Sequence, residues 1–198
     1  MDQTIEAMKR AYAAYSAGKA EVPLRSRLPV PLHEAVSLFM PAYLFDDEGE
    51  SLAVKVVSLF PRNEPRGLPL IHAVVLLLEA HTGRPIALLE GSSLTAIRTG
   101  AASGAATDIL ARSACHSVAI FGAGVQARTQ LEAVCTVRQV QTVWVFDPNQ
   151  EKAERFKNEM AGQGPIPRDV RVASSPSQAA NNADIICTAT TSKTPVFQ

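Results

Sequence analysis

The feature that most restricts the fold of this sequence is a glycine turn between an apolar segment and a helical one. Residues 118–121 are apolar and strand-like, and they lead into Gly122-Ala-Gly124-Val-Gln-Ala127 and a helical pattern over 126–137. The first glycine permits a tight turn, the second lets a ligand approach the backbone, and the small third residue allows close helix–strand packing. Free N–H groups and the helix dipole at such a turn favour a diphosphate. The pattern therefore predicts a dinucleotide site; the alternative is a nucleotide-free copy of the same fold.

Strand-like and helix-like segments alternate after this turn, which predicts a parallel sheet with crossover helices. We expect strands at 142–146, 170–173 and 184–189, and helices at 150–161 and 177–182. The predicted fold class is α/β, with a Rossmann-type parallel-sheet domain over residues 113–198. Four strands are fewer than the six of a complete doubly wound sheet, so we expect this domain to be incomplete at its C-terminal end.

Residues 1–112 are predicted to form a preceding α+β domain for substrate binding and dimerisation. Short turns separate its strand-like segments, which favours a mostly antiparallel sheet. The expected elements are a helix at 2–17, an extended segment around Pro23, Pro29 and Pro31, strands at 36–45, 52–60, 71–79 and 85–89, and a helix from Ser92 or Ser93 to 112. Gly100 and Gly104 lie four residues apart inside the last helix. Because glycine costs about 1 kcal/mol against alanine in a helix, this spacing predicts close backbone packing.

Composition excludes several classes of partner. Lys plus Arg and Asp plus Glu each number 19, so no basic surface is expected for nucleic acid or for an anionic membrane. The apolar stretch at 68–78 is too short to span a bilayer, which takes about 20 residues. Neither the polar N-terminus nor the unpaired spacing of the cysteines suggests secretion, so we expect a cytoplasmic protein. The unpaired cysteines are Cys115, Cys135 and Cys187, and His33, His72, His81 and His116 are interpreted as structural.

Asp147 ends the second strand of the predicted parallel sheet and has two interpretations. Its carboxylate is suited to accept hydrogen bonds from the adenosine ribose, which favours NAD over NADP. The alternative is helix capping, with Pro148 at the first helical position and Gln150 three residues after Asp147.

Three basic positions of the first half are candidates for binding an anion. Lys55 lies in a strand that is apolar on both faces, where an ammonium requires a partner; the alternative is an edge-strand lysine that reaches water. Arg98 lies among small residues, beside Thr99, and is suited to hold a carboxylate through two parallel bonds, although a plain surface arginine is the alternative. Arg25 is a third candidate, for which Arg27 is the competing choice.

Taken together, these segments resemble the ornithine cyclodeaminase/μ-crystallin family. The resemblance extends in order over nearly the whole chain. It rests on Met40-Pro-Ala-Tyr43, Val54-Lys55-Val-Val57, Phe60-Pro-Arg-Asn63, Arg66-Gly-Leu-Pro69, Thr82-Gly-Arg-Pro85, Leu94-Thr-Ala-Ile-Arg98-Thr99, Gly122-Ala-Gly-Val-Gln-Ala127 and Ala183-Asp-Ile185.

The resemblance implies an NAD(P)-dependent enzyme of amino-acid metabolism that moves hydride at the carbon next to a carboxylate. Family activities include ornithine cyclodeamination to proline, reduction of cyclic ketimines such as Δ1-pyrroline-2-carboxylate, and alanine dehydrogenation. The substrate is then a small amino acid or cyclic imino acid, and the full-length protein a homodimer that pairs its front sheets. The resemblance assigns the substrate carboxylate to Arg25, Lys55 and Arg98, proton relay to Lys55, and cofactor contacts to Arg98, Thr99, Gly122, Gly124, Val125, Gln126, Asp147, Thr188 and Thr190.

The chain also departs from the family pattern. Leu70 stands where many relatives carry a threonine near the cofactor. Relatives continue for more than a hundred residues and contribute a catalytic aspartate there, so we expect residues 1–198 to be a fragment or truncated product that is inactive alone. A cofactor- and ligand-binding protein without turnover, and an inactive family member, are the alternatives to an enzyme.

Overall fold

The computed structural model describes residues 1–197, with every side chain in that range except that of Glu64. By its internal contacts the chain divides into an antiparallel unit, Arg10–Thr95, and a parallel unit, Met1–Lys9 with Ala96–Gln198. This division groups most of the helix after residue 90 with the parallel sheet. The domain boundary that the sequence places between residues 112 and 113 stays a prediction.

The antiparallel unit contains a six-stranded sheet, where the sequence predicts an antiparallel sheet with four strands. Every paired strand in it runs antiparallel to its neighbour, in the order β1-β3-β4-β5-β6, with β2 also pairing with β3. The strands are β1 (Ala20–Glu21), β2 (Ser26–Val30), β3 (Ala35–Asp46), β4 (Gly49–Leu59), β5 (Ile71–Leu78) and β6 (Pro85–Glu90). Helix α1 (Asp2–Ser16) precedes the sheet and agrees with the predicted first helix.

The proline-containing segment is more regular than the sequence indicates. Instead of only crossing the sheet, it supplies β1 and β2, which both pair with β3. Pro29 lies opposite Val36 within β2. A proline is tolerated there because β2 pairs on one side only, so its missing N–H interrupts no second ladder.

The second long helix, α2 (Gly91–Leu110), is capped by a residue that the sequence does not suggest. The Glu90 carboxylate accepts the backbone N–H groups of Ser92 at 2.6 Å and Ser93 at 2.8 Å. The prediction that Ser92 or Ser93 is the cap is therefore wrong. A carboxylate competes better than a hydroxyl for these N–H groups, which lie at the positive end of the helix dipole. The same bonds, that from Ser93 first, lower the pKa of Glu90 to about 2.

The parallel unit contains four parallel strands in the order β10-β7-β8-β9, joined by helices. Its elements are β7 (Ser117–Phe121), α3 (Val125–Val137), β8 (Thr142–Phe146), α4 (Gln150–Met160), β9 (Val170–Val172), α5 (Pro176–Asn181) and β10 (Ile185–Thr188). Its core is apolar and closed to solvent, with fully buried Ile120, Leu131, Val145 and Phe156. Strands β8 and β9 lie on one side of β7, and β10 lies on its other side. A switch point of this kind, between β7 and β10, is where such sheets bind ligands.

Two glycines of α2 let this helix approach α3 closely, as their spacing predicts. A Cβ at Gly100 would lie 2.4 Å from the carbonyl oxygen of Thr129, and a Cβ at Gly104 would lie 2.9 Å from the end of Ile5 and 3.0 Å from the Ala133 side chain. The C-terminal end of α2 is capped by the side chain of Arg138. This arginine donates to the carbonyl oxygens of residues 107, 108, 111 and 112 and to the Asp108 carboxylate.

Asp184 joins the starts of β10 and β7. Its Oδ2 accepts the N–H of His116 at 2.9 Å, the N–H of Ser117 at 3.0 Å and the Ser117 hydroxyl at 2.8 Å, and Arg112 lies 3.4 Å from its Oδ1. These partners, the His116 N–H above all, hold the pKa of Asp184 below its ordinary value of 3.8. A carboxyl whose pKa is lowered by folding stabilises the fold above its unfolded pKa and loses that contribution as the pH falls through the folded pKa.

The free energy of unfolding of the Asp184→Asn variant is therefore expected to be about 2 kcal/mol lower than that of wild type at neutral pH, because charge-assisted hydrogen bonds are lost. The difference from wild type should narrow as the carboxyl becomes protonated on acidification. Urea unfolding of both proteins along a series from pH 7 down to below 3.8 measures this. A difference that stays constant with pH would contradict the role of the charge.

Side chains able to bind metal or form disulfides are not gathered within residues 1–197. No group of three or more His, Cys, Asp or Glu side chains in this range is placed to hold a metal ion. The three cysteines are free and buried, and burial raises the pKa of Cys135 to about 12 and that of Cys187 to about 11. These two thiols are therefore protonated and weakly nucleophilic near neutral pH. No helix in the described range is both long and apolar enough to cross a membrane.

Candidate functional site

The first glycine of the turn after β7 has a backbone conformation that other residues adopt only with strain. Gly122 has a φ of 95°, and its N–H donates to the carbonyl of Phe146 at 2.8 Å. A Cβ at this position would lie 2.4 Å from the carbonyl oxygen of Ala189, in the segment after β10. Gly122 thus lets the ends of β7, β8 and β10 come together at the switch point.

The second glycine has no such explanation within the chain. Gly124 is the N-cap of α3 with an ordinary extended backbone, φ −86° and ψ −170°, and a Cβ there would meet nothing within 4 Å. Neither backbone conformation nor the packing of the described residues requires glycine here. The open space in front of Gly124 is the space that a diphosphate needs to reach the backbone. The turn therefore fits a dinucleotide.

The third position and the start of α3 complete this turn. Ala127 is fully buried, as expected for a small residue between helix and strand. Val125 is exposed, and the Oε1 atom of Gln126 is buried with no hydrogen-bond partner among the described residues. An acceptor in this condition is suited to a donor from a bound molecule. The cofactor contacts that the family resemblance assigns to Val125 and Gln126 stay predictions.

Asp147 follows β8 and faces the turn. Its Oδ2 accepts the N–H of Ala123 at 3.0 Å, and its Oδ1 accepts the N–H of Asn149 at 2.9 Å. The helix-cap interpretation of Asp147 is wrong, because α4 begins at Gln150 and Asn149 is its N-cap, accepting the N–H of Lys152 at 3.0 Å. Each carboxylate oxygen of Asp147 retains a lone pair for a further donor.

A cavity of about 420 Å³ opens beyond the end of β10. Thr188 and Thr190, both predicted cofactor contacts, line it, and the methyl group of Thr190 would lie 3.4 Å from a Cβ at Gly122. The remaining lining residues are Ser192, Thr194, Pro195, Val196 and Phe197. Polar groups after β7, β8 and β10 thus gather at the carboxyl edge of the parallel sheet.

Arg128 takes part in this turn, although the sequence interpretation missed it. Its Nη1 donates to the carbonyl oxygens of Ala123 at 2.9 Å and Gly124 at 3.2 Å. Its Nη2 binds the Glu159 carboxylate on α4. The available signal was an arginine four residues after the second glycine, on the face of the helix that turns back toward its N-terminus.

Lys55 lies on a central strand of the antiparallel unit. Its strand, β4, pairs with β3 on one side and β5 on the other, and the residues opposite Lys55 are Met40 and Val75. The edge-strand alternative for Lys55 is therefore wrong. The side chain is half-buried between apolar cross-strand neighbours, where a partly desolvated ammonium is suited to binding an anion.

The predicted arginines differ in exposure. Arg25 precedes β2, and Arg27 lies within it opposite Leu38; both are exposed, so the choice between them stays open. Arg98 and Thr99 lie in α2 and are half-buried. Their roles as ligands of substrate or cofactor stay predictions.

An open parallel sheet with a glycine turn at its switch point, preceded by an antiparallel sheet, defines a two-part Rossmann-type protein. The chain belongs to the ornithine cyclodeaminase/mu-crystallin family, whose sequence model matches residues 1–198. This result and the two observed sheets confirm the predicted family and fold class.

Similar proteins include several enzymes. A Δ1-pyrroline-2-carboxylate reductase of Bacillus cereus is 39% identical over 198 residues, which are 100% of this chain and 59% of that protein. The structure of the Thermococcus litoralis Δ1-pyrroline-2-carboxylate reductase, in complex with NADH and L-proline, is 46% identical with a TM-score of 0.90; the match covers 98% of this chain and 59% of that one. The structure of an archaeal alanine dehydrogenase dimer with bound NAD is 31% identical with a TM-score of 0.88. The match covers 99% of this chain and 58% of that one. The chain thus spans about 59% of the length of the first two relatives.

Proposed function

We propose that the protein of which residues 1–198 form a part is an NAD(P)H-dependent reductase of cyclic imino acids, with Δ1-pyrroline-2-carboxylate as substrate and L-proline as product. The observation that carries this proposal is the likeness to the Thermococcus litoralis enzyme in sequence and backbone together. The glycine turn, which leaves space for a diphosphate at Gly124, supports the cofactor half of the proposal independently.

The proposed reaction requires a hydride, a proton and a fixed carboxylate. When bound, a reduced nicotinamide would supply the hydride for the imine carbon next to the carboxylate, and the imine nitrogen would gain a proton to give the secondary amine. The turn at 122–127 is proposed to hold the diphosphate. Lys55, Arg25 and Arg98 are proposed to bind the substrate carboxylate, as the resemblance implies, and Lys55 is also proposed to relay a proton.

Asp147 supports NAD rather than NADP as the cofactor. Each of its carboxylate oxygens accepts one backbone N–H and retains a lone pair for a ribose hydroxyl. A 2′-phosphate near the same group would place two negative charges together. We therefore propose that NADH is bound more tightly than NADPH.

A homodimer is proposed with this function. Edge strand β6 exposes much of its apolar surface, including 56% of Ile86, 72% of Leu88 and 42% of Leu89. An edge strand of this composition is a ready surface for pairing. A second copy of the chain is the proposed partner, as in the dimeric archaeal alanine dehydrogenase.

Lys55 offers a sharp test of substrate binding. Replacing it with methionine, which keeps length but removes charge, is expected to lower kcat/KM roughly tenfold to a hundredfold through loss of a charge-assisted bond. The dissociation constant for NADH should stay the same. Lys19→Met is the matched control, because Lys19 is a lysine of the same unit whose side chain is 43% exposed and lies 3.5 Å from Asp47. Wild-type kinetics for Lys55→Met would contradict its proposed role.

Substrate assays on the full-length protein test the function itself. We expect NADH oxidation with Δ1-pyrroline-2-carboxylate, one L-proline formed for each NADH consumed, and slower turnover with NADPH. Ornithine converted to proline with release of ammonia, and without net NADH oxidation, would instead indicate cyclodeamination. NADH binding without turnover of imine, pyruvate plus ammonia, or ornithine would indicate a binding protein.

A further inference from the structure

The carbonyl groups of the glycine turn are held by a cation inside the same unit. Arg128, one helical turn after Gly124, donates through Nη1 to the carbonyl oxygens of Ala123 at 2.9 Å and Gly124 at 3.2 Å. These are the last two carbonyl groups before α3 begins. A single donor atom thus fixes two consecutive peptide groups of the turn.

Two groups on α4 hold the guanidinium itself in place. Nη2 forms an ion pair with Glu159, and Cζ lies over the ring of Phe156, 5.2 Å from its centroid. Phe156 is fully buried, and only 28% of the Arg128 side chain is exposed. A guanidinium stacked on a ring and paired with a carboxylate has little freedom to turn toward a ligand.

Peptide geometry transmits this restraint to the ligand side of the turn. In a planar trans peptide, the C=O and the following N–H point in opposite directions. Carbonyl groups of Ala123 and Gly124 directed at Arg128 therefore direct the N–H groups of Gly124 and Val125 away from it. The N–H of Ala123 is occupied separately, by Asp147. The turn is thus set with two adjacent N–H donors directed away from the arginine.

We propose that Arg128 is a positioning residue that pre-organises the Gly124 and Val125 amides for the diphosphate without touching it. This inference rests on the proposed dinucleotide site, and it assigns to Arg128 a part of that site's affinity for the dinucleotide. Donors fixed in advance lose less conformational entropy on binding, so they bind more tightly than the same donors in a mobile turn.

Nucleotide fragments separate this role from a general loss of structure. In Arg128→Met of the full-length protein, which keeps an aliphatic stem over Phe156, we expect ADP and NADH to bind roughly tenfold more weakly, a change equivalent to one hydrogen bond of about 1.4 kcal/mol. Adenosine, which lacks the diphosphate, should bind within twofold of wild type. Arg155→Met is the matched control and should keep wild-type ADP affinity, because Arg155 is an exposed arginine of α4. Arg128→Gln is the second variant if Arg128→Met does not fold.

Salt distinguishes positioning from long-range attraction. Charge attraction is screened in about 1 M salt, where the Debye length is about 3 Å, whereas a fixed turn is not. We expect the tenfold ratio between wild type and Arg128→Met to persist at that salt concentration. An unchanged ADP affinity, an equal loss of ADP and adenosine affinity, or a ratio that vanishes in salt would overturn the inference. Wild-type protein that binds neither NADH nor ADP would overturn the proposed function, and this inference with it.

Discussion

Replacing Gly124 with valine is expected to weaken NADH binding roughly a hundredfold, because the side chain displaces a diphosphate from charge-assisted bonds worth about 1.5–3 kcal/mol each. The free energy of unfolding should fall by only about 1 kcal/mol, the usual cost of an apolar residue at an N-cap, since a Cβ at Gly124 meets nothing within 4 Å and the backbone has an ordinary extended conformation. NADH fluorescence titration and urea unfolding of the same preparations measure the two quantities.

Gly122→Ala is the contrasting variant for this experiment. With a φ of 95° and a carbonyl oxygen 2.4 Å from the added Cβ, it should lose stability and NADH binding together. We expect the Gly124 variant to lose NADH affinity with little loss of stability, and the Gly122 variant to lose both. Wild-type NADH affinity in Gly124→Val would show that no ligand approaches this part of the turn.

Replacing Gly100 with alanine is expected to destabilise the protein by about 3 kcal/mol. Helix propensity alone would predict a gain of about 1 kcal/mol. The added Cβ, however, would lie 2.4 Å from the carbonyl oxygen and 2.5 Å from the carbonyl carbon of Thr129, and backbone atoms of α3 cannot move aside cheaply. Chemical unfolding of wild type and variant measures the difference.

Gly104→Ala is the graded control on the same helix. The first atom that its Cβ would meet is the terminal carbon of Ile5 at 2.9 Å, which can rotate away, and the next is the Ala133 side chain at 3.0 Å. Since the gain in helix propensity is the same, Gly104→Ala should be clearly less destabilising than Gly100→Ala. Equal stabilisation by both variants would contradict the close approach of α2 and α3.

The sequence predicts the fold well because the patterns that specify it are local. The alternation of apolar segments and helices after residue 117 is sufficient to predict the parallel sheet. The spacing of Gly100 and Gly104 is sufficient to predict a close helix contact. Strands β1 and β2 were missed because they are short, proline-containing and stabilised by pairing with β3. Sheet order is also non-local, so the sequence could not exclude the edge-strand alternative for Lys55.

The site was predicted less completely than the fold. Gly122, Gly124 and Asp147 form a recognisable spacing, and the structure brings them to one edge of the sheet. The helix caps Glu90 and Asn149 were assigned to neighbouring residues, because capping depends on which of several polar side chains reaches the N–H groups. The role of Arg128 depends on Glu159 and Phe156, which follow it by about thirty residues and meet it only after α4 packs beside α3.

The structure of the full-length protein with NADH bound tests the central claim most directly. We expect diphosphate oxygens within hydrogen-bond distance of the Gly124 and Val125 N–H groups, Arg128 still bound to the carbonyl groups behind them, and the adenosine ribose on Asp147. A cofactor bound elsewhere, or a diphosphate held by the Arg128 guanidinium itself with the turn carbonyls released, would contradict it.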